Sequence, residues 1–290
     1  MPPLYDLHTH STASDGTLTP TELVQRALAR GVDVLALTDH DNADGIDEAR
    51  RAAAGTGLHL VAGVELSVTW ERQVIHVVGL NIDTNAPALV AGFERLMAFR
   101  AWRAEEIGRR LEKAGIPGAH AGACRFARGR IVGRTHFARF LVEQGHARDM
   151  REVFRRFLVR NKPGYVPGRW AGLEEAVGWI QGAGGQAVIA HPARYRLTAT
   201  RLRQLLGEFR ECGGVGLEVV SGSHSPQDNH NMAVHARRDG LLASCGSDYH
   251  GPENPWLELG RLPALPGGCE PVWAGWPTAP GTGQRQAAGA

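Results

Sequence analysis

Residues 5–11 read Tyr5-Asp6-Leu7-His8-Thr9-His10-Ser11, a short apolar strand followed by two histidines that are one residue apart. In an extended chain, residues i and i+2 point to the same side, so His8 and His10 can reach toward one point. An isolated His-x-His is as typical of solvated loop histidines as of half a metal site. The same pattern, an apolar strand that ends in metal-binding side chains, recurs along this chain, and the recurrence favours a metal site.

The composition is that of an ordinary globular protein, with 43% hydrophobic and 21% charged residues among 290. A net charge of +2 gives little reason to expect binding to duplex nucleic acid. The four cysteines are far apart and form no Cys-x-x-Cys pair, so they suggest neither a zinc finger nor a disulfide framework. The sequence has no signal-peptide pattern and no long apolar run, so we expect a cytoplasmic protein without a membrane partner.

Apolar runs alternate with amphipathic stretches along most of the chain. The runs predict seven strands, at residues 4–7, 32–37, 58–64, 74–80, 186–190, 215–220 and 241–245. Continuous apolar runs suit parallel strands that are buried on both faces. A strand-helix alternation of this kind predicts an α/β fold, either a barrel or a doubly wound sheet.

This alternation is interrupted between residues 97 and 167, where short helices at 135–143 and 150–159 replace the strands. We therefore expect a small helical insertion, or cap domain, at 97–167, and a main domain formed by residues 1–96 and 168–290. The stretch from Pro263 onward is rich in Pro, Gly and Ala, and we expect its last part to be loose.

Side chains of the metal-ligand type stand at or near the carboxyl ends of most predicted strands. In parallel α/β folds this edge carries the active site. Histidines and carboxylates without thiolates favour ions such as Zn, Mn or Fe. The candidate ligands are His8, His10, Asp15, His40, Glu65, His76, His191, Asp248 and His250. These nine exceed the three or four protein ligands that one catalytic ion needs, so they predict two or three ions, with a carboxylate such as Glu65 bridging them.

Taken together and in this order, the motifs resemble those of the PHP (polymerase and histidinol phosphatase) family. They are His8-Thr9-His10-Ser11, Thr38-Asp39-His40, Glu65, His76, His191-Pro192 and Ser247-Asp248-Tyr249-His250. The resemblance implies a distorted seven-stranded (β/α) barrel with a metal cluster at its C-terminal end. It also implies three ion sites: one with His8, His10, Glu65 and Asp248, a second with Asp15, His40 and His250, and a third with Glu65, His76 and His191.

Within the family, the insertion and its Gly-Arg-Thr-His-Phe-Ala stretch resemble a bacterial subgroup of 3′,5′-nucleoside bisphosphate phosphatases, some of which also trim RNA from the 5′ end. The resemblance implies removal of the 3′-phosphate from a small nucleotide, such as adenosine 3′,5′-bisphosphate, by a metal-activated hydroxide. Many relatives have histidine where this chain has Asp15. A carboxylate is the harder ligand and favours Mn, with Zn or Fe as alternatives.

Several other residues are candidates for contacts with the substrate. As substrate-binding residues we expect Ser11, Arg134, His136, Lys162 and His224. As catalytic residues we expect Arg134, which can stabilise charge on phosphate, and Asp39 or His224, either of which can protonate the leaving group. An arginine or lysine is more commonly a solvated surface residue, and Arg134 can also serve only to begin its helix.

Three alternatives remain open from the sequence. One is histidinol phosphate phosphatase, another phosphomonoesterase. The second is a 5′-3′ exoribonuclease acting on short RNA, an activity that can coexist with the first prediction. The third, of a different class, is a catalytically silent metal-binding PHP module.

Overall fold

Seven strands form a single sheet that curls into a nearly closed barrel in the computed structural model, which describes residues 2–277. Each strand pairs with the next one in sequence. The first and last strands also meet, where the Leu7 amide donates to the Cys245 carbonyl at 3.0 Å. The strands are β1 (Tyr5–Asp6), β2 (Val34–Leu37), β3 (His59–Trp70), β4 (Gln73–Leu80), β5 (Gln186–Ile189), β6 (Gly216–Ser221) and β7 (Leu242–Gly246). The predicted α/β barrel is thereby confirmed.

The strand β4 runs against its neighbours, whereas the remaining strand pairs are parallel. A tight turn at Glu71 and Arg72 joins it to β3 as a hairpin. The start of β4 therefore lies at the rim where the parallel strands end. This direction explains why His76 lies inside its strand and still belongs to the edge that carries the other candidate ligands.

Nine α-helices are assigned within residues 2–277. They are α1 (Pro20–Ala29), α2 (Ile46–Ala53), α3 (Pro87–Lys113), α4 (Ala119–Cys124), α5 (Arg134–Glu143), α6 (Met150–Val153), α7 (Leu173–Gly182), α8 (Ala199–Glu211) and α9 (Pro226–Asp239). Helix α1 begins with a capping box, in which Thr19 and Glu22 satisfy each other's backbone amides. The sequence analysis missed α4, and the helix predicted at 150–159 is split into α6 and a π-helical segment, Phe154–Leu158.

The barrel interior is filled by alternate residues of its strands. In β2, Val34 and Ala36 belong to a buried cluster inside the barrel. Leu35 and Leu37 point outward and pack in another cluster with residues of α1 and α2. All four are fully buried, as expected of a strand covered on both faces. The short apolar runs of the sequence therefore supply both the barrel core and its contacts with the helices.

The long helix α3 spans two buried clusters. Its first half contributes Leu89, Phe93 and Leu96 to the main cluster around β3 to β7. Its second half contributes Ile107 and Leu111 to a separate cluster formed by α4, α5 and the segment up to Val166. This packing is consistent with a cap that begins near residue 97, although the domain boundaries themselves stay a prediction.

The segment after Pro263 packs against the barrel as far as it is described. The Ala243 amide in β7 donates to the Glu270 carbonyl at 2.7 Å, and the Val272 amide donates to the Ala243 carbonyl at 2.9 Å. Trp273 stacks on Tyr5 with ring centroids 4.0 Å apart. The part expected to be loose falls largely in residues 278–290, outside the described residues. Within the described chain no helix is long and apolar enough to cross a bilayer, including the 27-residue α3.

Candidate metal centre and phosphate cavity

The nine predicted ligands lie together at the C-terminal rim of the barrel. The first of their groups has His8 and His10 at its centre, with 3.1 Å between the two Nε2 atoms. Glu65 Oε2 lies 3.4 Å from His8 Nε2 and 3.3 Å from His10 Nε2. Asp248 Oδ1 lies 3.6 Å and 3.3 Å from the same two nitrogens. Two lone-pair nitrogens and two carboxylates that converge in this way form a site suited to a divalent cation.

A second group gathers around Asp15, in the loop after β1. Its Oδ1 lies 3.2 Å from His250 Nε2 and 3.9 Å from His40 Nε2, and His10 completes the group. The resemblance implied the first three of these residues, and the geometry adds His10 as a neighbour of both groups. Asp15 therefore lies among three imidazoles, in a group that could hold a metal ion.

Glu65 connects the groups because both of its oxygens face imidazoles. Its Oε1 lies 2.7 Å from His76 Nδ1 and 2.9 Å from His191 Nε2, and its Oε2 lies 2.9 Å from His40 Nδ1. Although burial raises the pKa of this carboxyl, the charges of His76, His40 and His8 bring it well below its usual range. A buried carboxylate surrounded by imidazoles fits the bridging role.

The cluster fits metal ions on the chemistry of its own atoms. Eight buried side-chain nitrogens and oxygens in residues 2–277 form no hydrogen bond of suitable geometry, even where a polar atom lies close by, and five of them belong to the predicted ligands. They are His10 Nδ1, Asp15 Oδ1, His40 Nδ1, Glu65 Oε2 and His191 Nδ1. Buried polar atoms are normally paired, so their concentration in this cluster indicates a site built for ligation.

Two of the imidazoles are held in the neutral form that can bind a cation. Burial, and next the charge of His250, lower the pKa of His10 to about 3. Burial also lowers the pKa of His76 to about 4, against the opposing effect of Glu65. A neutral imidazole keeps a lone pair available for a metal.

Glu218, on β6, supports this centre from behind. Its Oε1 lies 2.6 Å from His8 Nδ1, and its Oε2 accepts a 2.5 Å hydrogen bond from the His191 amide. The first contact fixes the His8 ring so that Nε2 faces the cluster, which is the usual role of a carboxylate behind a ligating histidine. The sequence analysis missed Glu218, although a carboxylate inside the apolar run of β6 was an available signal.

The cap supports the centre from the opposite side. The Thr135 hydroxyl, at the start of α5, donates to Asp15 Oδ2 at 2.9 Å, and Arg139 donates to the Asp15 carbonyl at 3.2 Å. Asp15 Oδ1 is left facing His40 and His250. The orientation of this ligand therefore depends on a helix about 120 residues further along the chain.

Backbone strain and close packing accompany the ligands. His191 and Asp248 have φ angles of 29° and 56°, a region that few residues other than glycine adopt. A Cβ on Gly246 would lie 2.2 Å from the His8 Cβ, so only glycine allows β7 to approach β1 at this point. The surrounding fold thus forces both ligand segments into position.

A cavity of about 390 Å³ opens over the cluster and is walled by the cap. Seven of the nine candidate ligands, all except His8 and His10, line it with Tyr165 and four arginines: Arg100, Arg103, Arg134 and Arg194. Arg194 pairs with Asp248 at 2.6 Å, and Arg100 pairs with Asp41 at 2.5 Å. Of these four, only Arg134 was expected from the sequence, because 30 of the 32 basic residues are arginines and composition alone does not distinguish them.

Arg103 and Arg134 have no carboxylate partner among the described residues. Arg103 is 8% exposed, and burial together with the charges of Arg134 and Arg100 lowers its pKa to about 9. The pKa of Arg134 is lowered by burial and by Arg100. Neighbouring guanidiniums that repel one another in a cavity indicate a binding site for an anion.

Ser11 and Asp39 do not line this cavity in the described structure. The Ser11 hydroxyl donates to Asp39 Oδ2 at 2.6 Å, and Ser14 and the Ser11 amide donate to Asp39 Oδ1. Asp39 is buried and its pKa is raised by that burial. The pair therefore holds the loop that carries Asp15, which differs from the substrate contact and leaving-group protonation expected from the sequence.

The three remaining predicted substrate contacts also lie outside the lining of the metal cavity. His136 is buried and its Nδ1 accepts the Gly133 amide, so its ring caps α5. Lys162 is exposed in the loop after the π-helical segment. His224 lines a neighbouring cavity, where its Nε2 faces the Ala193 amide at 3.4 Å. The geometry thus brings Arg134 alone, of the five predicted contacts, to the metal centre.

Comparison with known proteins agrees with this geometry. The PHP domain model matches residues 6–166. A 3′,5′-nucleoside bisphosphate phosphatase from Chromobacterium violaceum is 51% identical over 269 residues, which are 92% of this chain and 94% of that protein. The 5′-3′ exoribonuclease Rnm from Escherichia coli is 47% identical over 98% of this chain and 97% of its own length.

Among solved structures, a proposed metal-dependent phosphoesterase from Bifidobacterium adolescentis superposes with a TM-score of 0.80 at 30% identity. The alignment covers 88% of this chain and 90% of that one. Barrel, ligand cluster and sequence similarity agree, and the chain belongs to the PHP domain family.

Proposed function

We propose that this protein is a phosphoric monoester hydrolase that removes the 3′-phosphate of nucleoside 3′,5′-bisphosphates and leaves nucleoside 5′-monophosphates. The observation that carries the proposal is one cavity that combines the ligand cluster with two arginines that have no carboxylate partner among the described residues, the buried Arg103 and the half-buried Arg134. A substrate with two phosphates needs two anion sites, one at the scissile bond and one for the phosphate that stays. The phosphatase named for the 51% identical relative supports the same substrate class.

We further propose that the nine ligands hold two or three divalent ions, with Mn as the preferred metal. When bound, such ions lower the pKa of a coordinated water and neutralise charge on phosphoryl oxygens. Asp15 supports Mn over Zn because a carboxylate is a harder ligand than an imidazole. His8 and Asp248 would keep their orientation through Glu218 and Arg194 respectively, since each uses its other polar atom for that contact.

The arginines would hold the 5′-phosphate and thereby place the 3′-phosphate at the cluster. Arg134 projects from the start of α5 and Arg103 from α3, so both reach the cavity from the cap. The guanidinium Cζ atoms of Arg100 and Arg103 lie 5.0 and 5.5 Å from the centroid of the Trp170 ring, and these contacts restrain both side chains. Restrained donors lose little freedom on binding, so they position a substrate well.

The test compares two substrates that differ only in the 5′-phosphate, adenosine 3′,5′-bisphosphate and adenosine 3′-monophosphate. With Mn-loaded protein we expect kcat/KM to be much higher for the bisphosphate. Charge-assisted hydrogen bonds contribute about 1.5–3 kcal/mol, so Arg103→Ala or Arg134→Ala should each lower kcat/KM for the bisphosphate about 10- to 100-fold. The same variants should change the monophosphate reaction less than about threefold on this reasoning.

Arg109→Ala is the matched control, because Arg109 lies on the exposed side of α3 and pairs with Glu106. It should leave both reactions unchanged. A wild-type protein that prefers neither substrate, or that prefers histidinol phosphate, would overturn the proposal. Equal losses of kcat/KM on both substrates would show that the arginines act on the scissile phosphate and not on the retained one.

The second candidate is 5′-3′ exonuclease activity on short RNA, which the Escherichia coli relative favours by its name and its 47% identity. The two activities share their chemistry, since the first nucleotide of a 5′-phosphorylated RNA is also a nucleoside with a 5′-phosphate and an esterified 3′-phosphate. Release of single nucleotides from a 5′-phosphorylated trinucleotide, followed by chromatography, tests this activity separately.

A further inference from the structure

A second cavity, of about 440 Å³, lies beside the metal centre and shares no lining residue with the first. It is bordered by the ends of β6 and β7, the start of α9 and the segment around residues 256–266. Ser247, in its wall, directly precedes the candidate ligand Asp248. His224, also in its wall, contacts Ala193, which lies between the metal centre's His191 and Arg194. The two cavities are therefore separated only by the loops that carry metal ligands.

The rim of this second cavity carries an exposed indole. Trp256 is 86% exposed, more than any other large hydrophobic side chain in residues 2–277. Its neighbours in the lining include Pro226, Leu257 and Pro263, which offer further apolar surface. A nucleobase has an aromatic face of similar size, and stacking on an aromatic side chain strengthens the binding of a base about tenfold or more.

The cavity also holds polar groups that lack partners. Asn229 is 8% exposed, and its Oδ1 has no hydrogen-bond partner in the part of the chain that the structure describes. An unpaired polar atom that is nine-tenths buried is costly unless a ligand satisfies it. Arg261, in the same lining, forms no ion pair within the described residues. The amide oxygen can accept a hydrogen bond from a nucleotide, the guanidinium can bind its phosphate, and the indole can stack on its base.

The position of this cavity relates it to the scissile bond. If the 5′-phosphate binds the cap arginines, the 3′-phosphate lies at the cluster, and any group attached beyond that phosphate must lie on the side away from those arginines. The second cavity lies on the β6 and β7 side, whereas Arg103 and Arg134 approach from the cap. The first cavity, at about 390 Å³, has the size of a site for one small ligand.

We propose that the second cavity binds the second nucleotide of a short 5′-phosphorylated RNA, with its base on Trp256 and its polar edge at Asn229. The proposal rests on the proposed function and names the longer substrate that the same centre would take. Water would add its hydroxyl to phosphorus, the bond between phosphorus and O3′ would break, and O3′ would take the proton. The products would be a nucleoside 5′-monophosphate and an RNA one nucleotide shorter that keeps its 5′-phosphate.

The experiment measures kcat/KM for adenosine 3′,5′-bisphosphate and for 5′-phosphorylated triadenylate in wild type and in Trp256→Ala. We expect the variant to lose about tenfold on the trinucleotide, the equivalent of one stacked base, and to change less than about twofold on the bisphosphate. Asn229→Ala should show the same selectivity. Trp102→Ala is the matched control, since Trp102 is 53% exposed on α3, away from both cavities, and should change neither reaction.

Equal losses of kcat/KM on both substrates would overturn the inference, because the cavity would then belong to the site of the first nucleotide. Unchanged kcat/KM for the trinucleotide would also overturn it. Binding of a 5′-phosphorylated diadenylate to metal-free protein, measured by equilibrium dialysis, gives a readout that needs no turnover. Trp256→Ala should weaken that binding about tenfold, and equal affinities would refute the proposal even if the wild type hydrolysed neither substrate.

Discussion

At the scale of single residues, Thr135 connects the cap with a metal ligand through one hydrogen bond to Asp15 Oδ2. Thr135→Val removes the donor at nearly constant volume, so Asp15 loses its fixed orientation. We expect Mn affinity at this position to fall about 10- to 100-fold, the usual effect of losing a partner behind a metal ligand. The measurement is Mn stoichiometry per protein by mass spectrometry after dialysis against limiting Mn.

Thr135→Ser is the control for that substitution because it keeps the hydroxyl. It should retain the wild-type stoichiometry. If valine and serine behave alike, the hydrogen bond does not position Asp15, and the similarity would point instead to a packing role for the threonine side chain.

Glu218 supports a second residue-scale prediction. Its two oxygens face the His8 ring and the backbone amide of His191, and that amide can only donate. In Glu218→Gln one carboxylate oxygen becomes an NH₂ group, which opposes a donor in either orientation. We therefore expect Mn affinity to fall about 10- to 100-fold in the same dialysis assay. Glu211→Gln, on an exposed position of α8, should leave the stoichiometry unchanged.

At the scale of elements, the contact between α3 and α4 decides how the cap holds together. A Cβ on Gly108 would lie 2.5 Å from the Cβ of His120 and 3.1 Å from its backbone nitrogen, so the two helices must separate to admit it. We expect Gly108→Ala to lower the free energy of unfolding by about 1–3 kcal/mol, despite its better helix propensity. Urea denaturation followed by circular dichroism measures this change.

Gly178→Ala is the counterpart in an open position. Gly178 lies in α7, is exposed, and a Cβ there would meet no atom within 4 Å. This variant should gain about 0.5–1 kcal/mol, because alanine loses less backbone entropy than glycine in a helix. Equal stabilities of the two alanine variants would show that α3 and α4 are not as tightly packed as described.

At the scale of the whole molecule, the candidate metal centre joins the C-terminal rim of the barrel to the cap. Ions that bind the folded chain alone stabilise it by mass action, by about 2.7 kcal/mol at a concentration of 100 times Kd. Removing Mn with a chelator should therefore lower the Tm of the protein by about 5–10 °C, and added Mn should restore it. Calorimetry with and without chelator checks this, and an unchanged Tm would mean that the cluster holds no stabilising ion.

Much of the barrel and the ligand cluster was predictable from the sequence because both depend on local patterns. Apolar runs such as residues 34–37 define strands by burial on both faces, and parallel strands bring their carboxyl ends to one rim. Residues that directly follow these runs, such as His191 and Asp248, must therefore meet. The resemblance to a family then named the chemistry that such a cluster performs.

The sequence by itself thus determined the strands, the rim and the ligands on it. Only the tertiary structure decided which arginines face the cavity, which residues hold the ligands in place and where Asp39 and His224 lie. Thr135 and Glu218 contact ligand segments that are 27 to 210 positions away from them in sequence. The position of Arg103 depends on the packing of α3. The physical reason is that hydrophobic periodicity fixes which face of an element is buried, whereas side-chain partners depend on how distant elements pack against one another.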